Sequence, residues 1–329
     1  REAILDELIS IIGRQPRGAG VQHVLIIGPR GMGKTTVLLM LRYSLPEHGL
    51  DNQWQAIKFP EESYGIYDLA DLWMEVLSRL AVQASDETLG EQVAQLKTEF
   101  SNSRDLSEAA FATIKDWVKQ HKKRLLVLVD NIDMILEQIN DELENAKLRD
   151  ILMNDGAMML VGTASTFFRE ANSYDKPLYN FFKIYDLGKL TSNQMHDLLL
   201  RRAAADGIPD FDKVINSKRS RLRALEYFTG GNPRLVLMLY HVVTKSDISE
   251  VRTALEKLLD EVTPYYKAKV ESLPPQLRKI LDQIARVSSQ TSEGVTPTEI
   301  GELTRLAPNQ VSAQLKRLSS LGYVNPVNL

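Results

Sequence analysis

Short apolar runs alternate with longer amphipathic stretches along the first part of the chain. The apolar runs predict strands at residues 24–27, 56–59, 125–129, 158–162 and 183–187. The amphipathic stretches predict helices, the clearest at 36–45, 68–84 and 106–122, and Pro46 is expected to end the first of them. Because strands separated by helices pair in parallel through crossovers, this pattern predicts an α/β fold, a parallel sheet covered by helices on both faces.

The strand pattern stops after Leu187, and only helical periodicity follows. It predicts helices at 193–206, 219–228, 233–243 and 247–260, and then at 276–287, 297–304 and 308–321. We therefore expect three domains: an α/β domain at 1–188, an α-helical domain at 189–263 and a small C-terminal domain at 264–329.

The C-terminal region has the pattern of a winged helix-turn-helix domain. The apolar positions expected to form its core stripe are Ile300, Leu303, Val311, Leu315 and Leu318. The polar positions that a recognition helix could present to a groove of duplex DNA are Asn309, Gln310, Ser312, Gln314, Lys316 and Arg317. Residues 264–329 hold eight Lys and Arg against five Asp and Glu, a mild positive balance. Two roles stay open: contact with DNA, or packing on the helical domain as an internal regulator.

Composition and charge exclude several classes of protein. The chain of 329 residues is 43% hydrophobic and 25% charged, a globular balance rather than a disordered or fibrous one. With 40 Lys and Arg against 43 Asp and Glu, no global positive field draws it to nucleic acid or to a membrane. The absence of cysteine excludes a disulfide scaffold, a thiol nucleophile and a Cys-ligated zinc, and is compatible with the cytoplasmic location we expect. No apolar run approaches the ~18–20 residues of a membrane span, and the start at Arg1 leads us to expect a piece of a longer protein.

The strongest chemical signal lies between the first predicted strand and the first predicted helix. Residues 28–35 read Gly-Pro-Arg-Gly-Met-Gly-Lys-Thr and fit the P-loop pattern G-x-x-x-x-G-K-[ST]. Glycines let such a loop curl so that backbone N–H groups face an anion, and the helix N-terminus adds partial positive charge. We expect Lys34 to reach the β- and γ-phosphates of ATP or ADP, and the Thr35 hydroxyl to ligate Mg²⁺. The predicted nucleotide-binding set is Gly28, Pro29, Arg30, Gly31, Met32, Gly33, Lys34, Thr35 and Thr36.

An acidic residue ends another buried strand. Residues 125–129 are all apolar and Asp130 follows them, the position from which a carboxylate holds Mg²⁺ across the sheet from a P-loop. Asp133 either caps the next helix or faces the same site. Many ATPases of this type place a glutamate directly after the aspartate as the base. Here that residue is Asn131, whose amide can orient water but cannot accept its proton.

Two replacements for the missing general base stay open. One is Asp133, and the other is Glu61 or Glu62, which follow the second predicted strand and which a neighbouring strand end would bring beside Asp130. Glu61 and Glu62 are otherwise surface charges at a helix N-terminus. Lys34 and Asp130 complete the predicted catalytic set. We expect hydrolysis of ATP to be slow or to depend on assembly.

Three further segments carry a resemblance to a known family. Residues 1–8 resemble the end of the R-E-x-x-x-L-type helix that precedes the nucleotide site there, residues 160–165 read Leu-Val-Gly-Thr-Ala-Ser, and residues 229–234 read Thr-Gly-Gly-Asn-Pro-Arg. Together with the P-loop and Asp130, they resemble the AAA+ and STAND groups of P-loop ATPases. The likeness is greatest to origin-recognition-type ATPases, which carry a helical lid and a winged-helix domain.

The resemblance implies roles for several residues. Ser165 lies at the polar end of the strand called sensor 1, which reads the γ-phosphate, and Arg234 is placed as the sensor 2 arginine of the lid. Arg169 is either an arginine finger that serves a neighbouring subunit or a surface arginine. The basic cluster within residues 218–223 is either a solvated helix face or a contact to DNA or a partner. Asn131 departs from the Asp-Glu pair of the family, which puts hydrolysis rather than binding in doubt.

Arg234 also has a physical argument of its own. Pro233 suits the first turn of a helix, so Arg234 begins that helix beside two glycines, where its guanidinium can reach a phosphate. The sequence thus predicts an ATP-binding molecular switch, and three forms of it stay open. These are an origin-recognition-like or transposition-like ATPase that self-assembles on DNA, a STAND-type signalling ATPase with a protein partner, and a nucleotide-binding scaffold without turnover.

Overall fold

In the computed structural model, the apolar runs of the first part of the chain form a single five-stranded sheet. The strands are β1 (Val24–Ile27), β2 (Trp54–Lys58), β3 (Arg124–Val129), β4 (Met158–Ala164) and β5 (Lys183–Asp186). Their order is β2-β3-β4-β1-β5, and every neighbouring pair is parallel. The predicted α/β fold with a parallel sheet is therefore confirmed, and each predicted strand lies within two residues of an observed one.

The chain divides into two compact units, Arg1–Gly188 and Lys189–Leu329. The structure describes residues 1–16, 18, 20–61, 63–139, 141–166, 168, 171, 173–217, 226, 229–240, 260, 263, 267, 270–288, 294–321 and 323–324. None of the helices in these ranges combines the length and the apolar character that a membrane crossing requires.

Seven helices of the first unit lie within the described residues: α1 (Glu2–Gly13), α2 (Lys34–Glu47), α3 (Leu69–Ala84), α4 (Glu87–Glu99), α5 (Ser103–His121), α6 (Ile132–Ile139) and α7 (Glu142–Asn154). The expectation that Pro46 ends the first of the predicted helices is wrong, because α2 continues through Pro46 to Glu47. A proline in the last turn removes only one N–H donor, and the helix ends directly after it.

The two faces of the sheet pack against different helices. Leu25 and Ile27 of β1 join a core with α3 to α7, whereas Val24 and Ile26 join a core with α1 and α2. All four residues of β1 are buried, as expected for a parallel strand covered on both faces. Because helices cover both faces of the sheet, a site can form at the carboxyl ends of the strands, where loops lead into the helices.

In the second unit, α8 (Ser192–Ala205), α9 (Phe211–Ser217) and α10 (Pro233–Met238) share one apolar core. Thr191 begins α8 with a capping box, in which its hydroxyl accepts from the Gln194 N–H and the Gln194 side chain accepts in return. The helices predicted at 219–228 and 247–260 lie largely outside the described residues.

The C-terminal part forms α11 (Pro275–Ser288), α12 (Pro297–Thr304) and α13 (Pro308–Ser320) around a separate core. Ile300, Val311 and Leu318 are fully buried in it, but the placement of Leu303 in the core was wrong, since Leu303 is 50% exposed. Thr304 is buried instead, because it lies four residues after Ile300 on the same face of this short helix, and its hydroxyl donates to the Ile300 carbonyl at 2.6 Å.

The segment that would form the wing lies mostly outside the described residues, so the winged helix stays a prediction. On α13, Asn309, Gln310, Lys316 and Arg317 are exposed, while Ser312 and Gln314 are half-buried.

Candidate functional site

The loop between β1 and α2 has the backbone that its glycines predict. Gly31 and Gly33 have φ angles of 86° and 89°, in the left-handed region that residues with a Cβ rarely adopt. Gly33 is the N-cap of α2, and no side chain of the described residues caps that helix end. The first N–H groups of α2 therefore point out of the helix without a side-chain acceptor, which is the arrangement that binds an anion.

Gly28 fixes where this loop leaves the sheet. Its N–H donates to the Ala164 carbonyl at 3.2 Å, and a Cβ on Gly28 would lie 2.8 Å from the Leu187 carbonyl oxygen. Leu187 is itself held to β1, because its N–H donates to the Ile27 carbonyl at 2.6 Å. Only glycine fits this position, so the loop starts at the crowded end of β1 between β4 and β5.

Lys34, the first residue of α2, places its ammonium inside the loop. The residue is 7% exposed, and Nζ donates to the Gly28 carbonyl at 2.7 Å and to the Pro29 carbonyl at 3.4 Å. Burial lowers the pKa of Lys34, and the negative charges of Asp130 and Asp133 counter part of that effect. The cation therefore lies in the concave side of the loop, among groups that a phosphate would contact.

Asp130 meets the P-loop through Thr35. The Thr35 hydroxyl donates to Asp130 Oδ2, which joins residues that are 95 apart in the chain. The Thr163 hydroxyl donates to the other carboxylate oxygen, Oδ1. Asp130 is 4% exposed, and these two hydroxyls hold its carboxylate in place.

Thr163 was missing from the predicted site. It lies in β4, which the sheet order places between β1 and β3, and its Oγ1 also accepts from the Asn131 N–H at 3.1 Å. The signal for it was a threonine at the next-to-last position of the otherwise apolar strand Met158–Ala164. Ser165, the residue predicted at this strand end, follows β4 and is half-buried.

Asn131 connects the ends of β2 and β3. It has a φ of 51°, a left-handed conformation that asparagine tolerates, and its Nδ2 donates to the Glu61 carbonyl at 3.3 Å. The negative charge of Glu61 also raises the pKa of Lys34. Glu61 therefore lies at the same edge of the sheet as the P-loop, while Glu62 lies outside the described residues.

Asp133 is the second residue of α6 and is half-buried. Burial raises the pKa of Asp133, whereas the backbone N–H groups of Ser165 and Met134 and the charge of Lys34 lower it. Its Oδ1 is buried and has no hydrogen-bond partner among the described residues. Of the two predicted roles for Asp133, this placement favours the one at the site over the capping of α6.

The rest of the predicted set falls in three places. Met32 is buried below the loop, whereas Pro29, Arg30 and Thr36 are exposed. Arg234 is the second residue of α10 in the second unit, where its N–H donates to the Asn232 side chain at 3.0 Å. Arg169 and the basic cluster at 218–223 lie outside the described residues, and so their roles stay predictions.

The oxygen donors around Asp130 suit Mg²⁺. The Thr35 hydroxyl and the Asp130 carboxylate are hard donors in direct contact. Within the described part of the chain, no group of three or more His, Cys, Asp or Glu side chains is placed to hold a metal ion. A pair of protein oxygens is nevertheless enough for Mg²⁺, which keeps several waters and takes other ligands from nucleotide phosphates.

Comparisons with known proteins point to the same region. A family model described as an AAA domain matches residues 18–169, the stretch that holds the P-loop, Asp130 and Thr163. No curated protein shows significant similarity to the chain.

Solved structures similar to this chain cover almost all of it. The ORC2 protein of Aeropyrum pernix, described in ADPNP–ADP complexes, has a TM-score of 0.61 and 18% identity over 98% of this chain and 86% of that one. The Walker-type ATPase PABY2304 of Pyrococcus abyssi has a TM-score of 0.60 and 15% identity over 98% and 89%. The ORC1 protein of Aeropyrum pernix, described in complex with DNA, has a TM-score of 0.55 and 17% identity over 98% and 83%. Residues 18–169 therefore match an AAA domain, and the fold of the chain resembles that of origin-recognition-type AAA+ P-loop proteins, as its motifs predicted.

Proposed function

We propose that this chain is an ATP-binding molecular switch that hydrolyses ATP slowly and acts on DNA. The observation that carries the proposal is the contact between Thr35 and Asp130, which joins the end of the P-loop to the end of β3. The buried ammonium of Lys34 lies beside the same carboxylate. The similar structures support it, since one is described with ADPNP and ADP and another with DNA.

The chain's own groups would bind the nucleotide in a defined way. The N–H groups at the start of α2 would donate hydrogen bonds to the phosphate oxygens, and Lys34 would exchange its contacts with the Gly28 and Pro29 carbonyls for phosphate oxygens. Thr35 and Asp130 would hold Mg²⁺, which would neutralise part of the phosphate charge when bound. Thr163 keeps the Asp130 carboxylate aimed at that position.

We assign the general base to Asp133, with Glu61 as the alternative. The Asp133 carboxylate is half-buried beside Lys34, and one of its oxygens has no hydrogen-bond partner in the described part of the chain. Burial raises the pKa of Asp133, which brings it closer to the value that suits a base at neutral pH. Asn131 donates its side-chain amide to the Glu61 backbone, so it positions a loop and supplies no proton acceptor. A site without the usual glutamate is consistent with slow turnover.

The switch would use the parts of the chain beyond Gly188. Arg234 would contact the γ-phosphate and couple nucleotide state to the position of the helical lid at 189–263. The exposed Asn309, Gln310, Lys316 and Arg317 of α13 would meet duplex DNA. The proposal includes self-assembly or a protein partner. Its main alternative is the STAND-type signalling role. The cytoplasmic location stays a prediction.

Lys34→Ala tests nucleotide binding. It removes the buried P-loop cation that lies within reach of the phosphates, so we expect ATP affinity to fall by about tenfold or more, ~1.4 kcal/mol. The measurement is titration of a fluorescent ATP analogue. The control is Lys97→Ala, at an exposed position of α4, which should keep wild-type affinity. A folded Lys34→Ala protein with wild-type affinity would refute the assignment of the P-loop.

Binding to duplex DNA across a salt series, with and without a non-hydrolysable ATP analogue, separates the DNA role from the signalling role. Phosphate contacts make affinity fall steeply with salt, and a switch makes it depend on the nucleotide. An affinity for DNA that is the same with and without the nucleotide, or no binding of DNA at low salt, contradicts the DNA part of the proposal.

A further inference from the structure

A cavity of about 30 Å³ lies in the core of the first unit, next to the turn that carries Asp130 and Asp133. Side chains of α3, β3, α6, α7 and β4 line it, and two of them, Val129 and Ile132, flank Asp130 in the chain. Within the described part of the chain, every lining side chain presents only apolar atoms to the cavity, so it lacks the polar groups that hold a buried water. Because protein interiors are close-packed, a cavity beside a site leaves a neighbouring element room to move.

The helix α6 forms one wall of this cavity with its apolar face. Ile132, Ile135 and Leu136 line the cavity, and all three are buried. Ile132 also packs closely against β4, because a Cβ on Gly162 would lie 2.8 Å from the Ile132 Cγ2 atom. The eight-residue α6 is therefore packed tightly on the sheet at its start and borders the cavity along the same face.

Several hydrogen bonds hold the chain just before α6. The Asp130 carboxylate accepts from the hydroxyls of Thr35 and Thr163. The Asn131 N–H donates to the same Thr163 hydroxyl at 3.1 Å, and Asn131 has a φ of 51°, so the chain turns sharply there. A shift of α6 therefore requires changes of backbone angles at Asn131 and Ile132, and it leaves both contacts of the Asp130 carboxylate in place.

The Asp133 carboxylate is only partly satisfied in this position of α6. Its Oδ1 atom is buried and has no hydrogen-bond partner in the described part of the chain. A buried acceptor without a donor costs free energy, and so does a cavity. A shift of α6 into the cavity would recover packing, and a donor that arrives with a bound ligand would satisfy Asp133. The position seen here and a shifted one are therefore close in free energy.

We propose that α6 has two positions, the one in this structure and one displaced into the cavity, and that nucleotide binding favours the displaced one. The displaced helix brings the Asp133 carboxylate to the water that attacks the nucleotide, so hydrolysis depends on the shift. The inference rests on the proposed function, because it takes Asp133 as the base of a nucleotide site, and it adds the regulation of that site. A ligand shifts such an equilibrium through its higher affinity for one of the two states.

Val76→Ile tests the proposal from α3, outside the nucleotide site. Val76 is buried and lines the cavity, so the added methyl group takes up volume into which α6 would move. Hydrogen exchange of the nucleotide-free protein, followed by mass spectrometry, reports the opening of α6. We expect the amides of α6 to exchange faster than those of β3, and Val76→Ile to slow the exchange of α6 by about fivefold or more.

The matched control is Val93→Ile, the same change at a buried position of α4 in the same core that does not line the cavity. It should leave the exchange of α6 unchanged. Val76→Ala enlarges the cavity, so we expect it to speed the exchange of α6 even though it lowers the urea midpoint of unfolding. An exchange rate of α6 that is the same in the wild type and in both Val76 variants overturns the proposal.

Hydrolysis of ATP separates a shift of α6 from a simple change in stability. We expect Val76→Ile to have a higher urea midpoint and an unchanged affinity for ATP, yet to hydrolyse ATP about fivefold more slowly or worse. A lower midpoint in Val76→Ile, wild-type hydrolysis in that variant, or an equal loss in Val93→Ile overturns the proposal. A wild-type protein that does not hydrolyse ATP contradicts the proposed function, and the exchange of α6 then decides by itself whether the helix has two positions.

Discussion

Thr163→Val tests whether a hydroxyl group, rather than side-chain packing, organises the end of β4. The hydroxyl donates to Asp130 Oδ1 and accepts from the Asn131 N–H, and Thr163 is fully buried. Valine has the same shape, so no cavity forms and the hydrogen bonds alone are lost.

The size of the effect follows from these two bonds. A hydrogen bond to a charged group contributes about 1.5–3 kcal/mol and a neutral one about 1 kcal/mol. The extra apolar burial of valine offsets about 0.8 kcal/mol of this, so we expect the free energy of unfolding to fall by roughly 2–3 kcal/mol. Thr163→Ser keeps the hydroxyl and loses one methyl group, which costs about 1 kcal/mol.

Urea unfolding followed by tryptophan fluorescence measures the difference. All three tryptophans, Trp54, Trp73 and Trp117, lie in the first unit, so the signal reports the unfolding of that unit. We expect the stability order wild type, Thr163→Ser, Thr163→Val at an unchanged denaturant slope. A valine variant as stable as the serine variant, or more stable, would show that Thr163 acts only by packing and would refute the hydrogen-bond reasoning.

Three further predictions follow from the site, the lid and a buried histidine. Asp133→Asn should bind ATP normally, but its rate of ATP hydrolysis should fall by about 10²-fold or more. If Asp133→Asn hydrolyses ATP at the wild-type rate and Glu61→Gln does not, the base is Glu61. Arg234→Ala should weaken ATP binding only modestly but abolish the ATP-induced change in protease sensitivity; a variant whose digestion pattern still changes with ATP as that of the wild type does would reject its sensor role. Burial lowers the pKa of His23 to about 4, below the usual ~6.5 of a histidine. The unfolded chain therefore binds a proton at a higher pH than the folded chain does. The free energy of unfolding should fall as the pH drops from ~6.5 towards 4, by roughly 3 kcal/mol in all. Urea midpoints from pH 7 to 4 check this, and His23→Gln should flatten the slope; an equal slope in both proteins contradicts it.

The nucleotide site was readable from sequence where its chemistry is local. The P-loop needs glycines at left-handed positions and a lysine at the start of a helix, and both requirements act within eight consecutive residues. Asp130 was recognisable because an apolar run that ends in an acid predicts the end of a buried strand, and β3 ends there. The roles of these residues in binding nucleotide and Mg²⁺ remain predictions that the variants above test.

Other contacts had no local signal. Leu303 has the apolar character of a core residue, yet the short α12 buries Thr304 in its place. Asn131 was expected only to orient water where the usual glutamate would act as base, but its side chain bonds to the backbone after β2. Each of these outcomes depends on which surface of an element meets its neighbour, and a single residue type does not encode that choice.

The sequence by itself determined the αβ alternation, the P-loop and the acid at the end of β3, because backbone sterics and apolar burial act over a few residues and leave a pattern in them. Only the tertiary structure decided the strand order, which inserts β4 between β1 and β3 and so brings the Thr163 hydroxyl to Asp130. Strand order results from pairings between segments far apart in the chain, whose energies depend on the whole assembled sheet, so no short stretch of sequence records it.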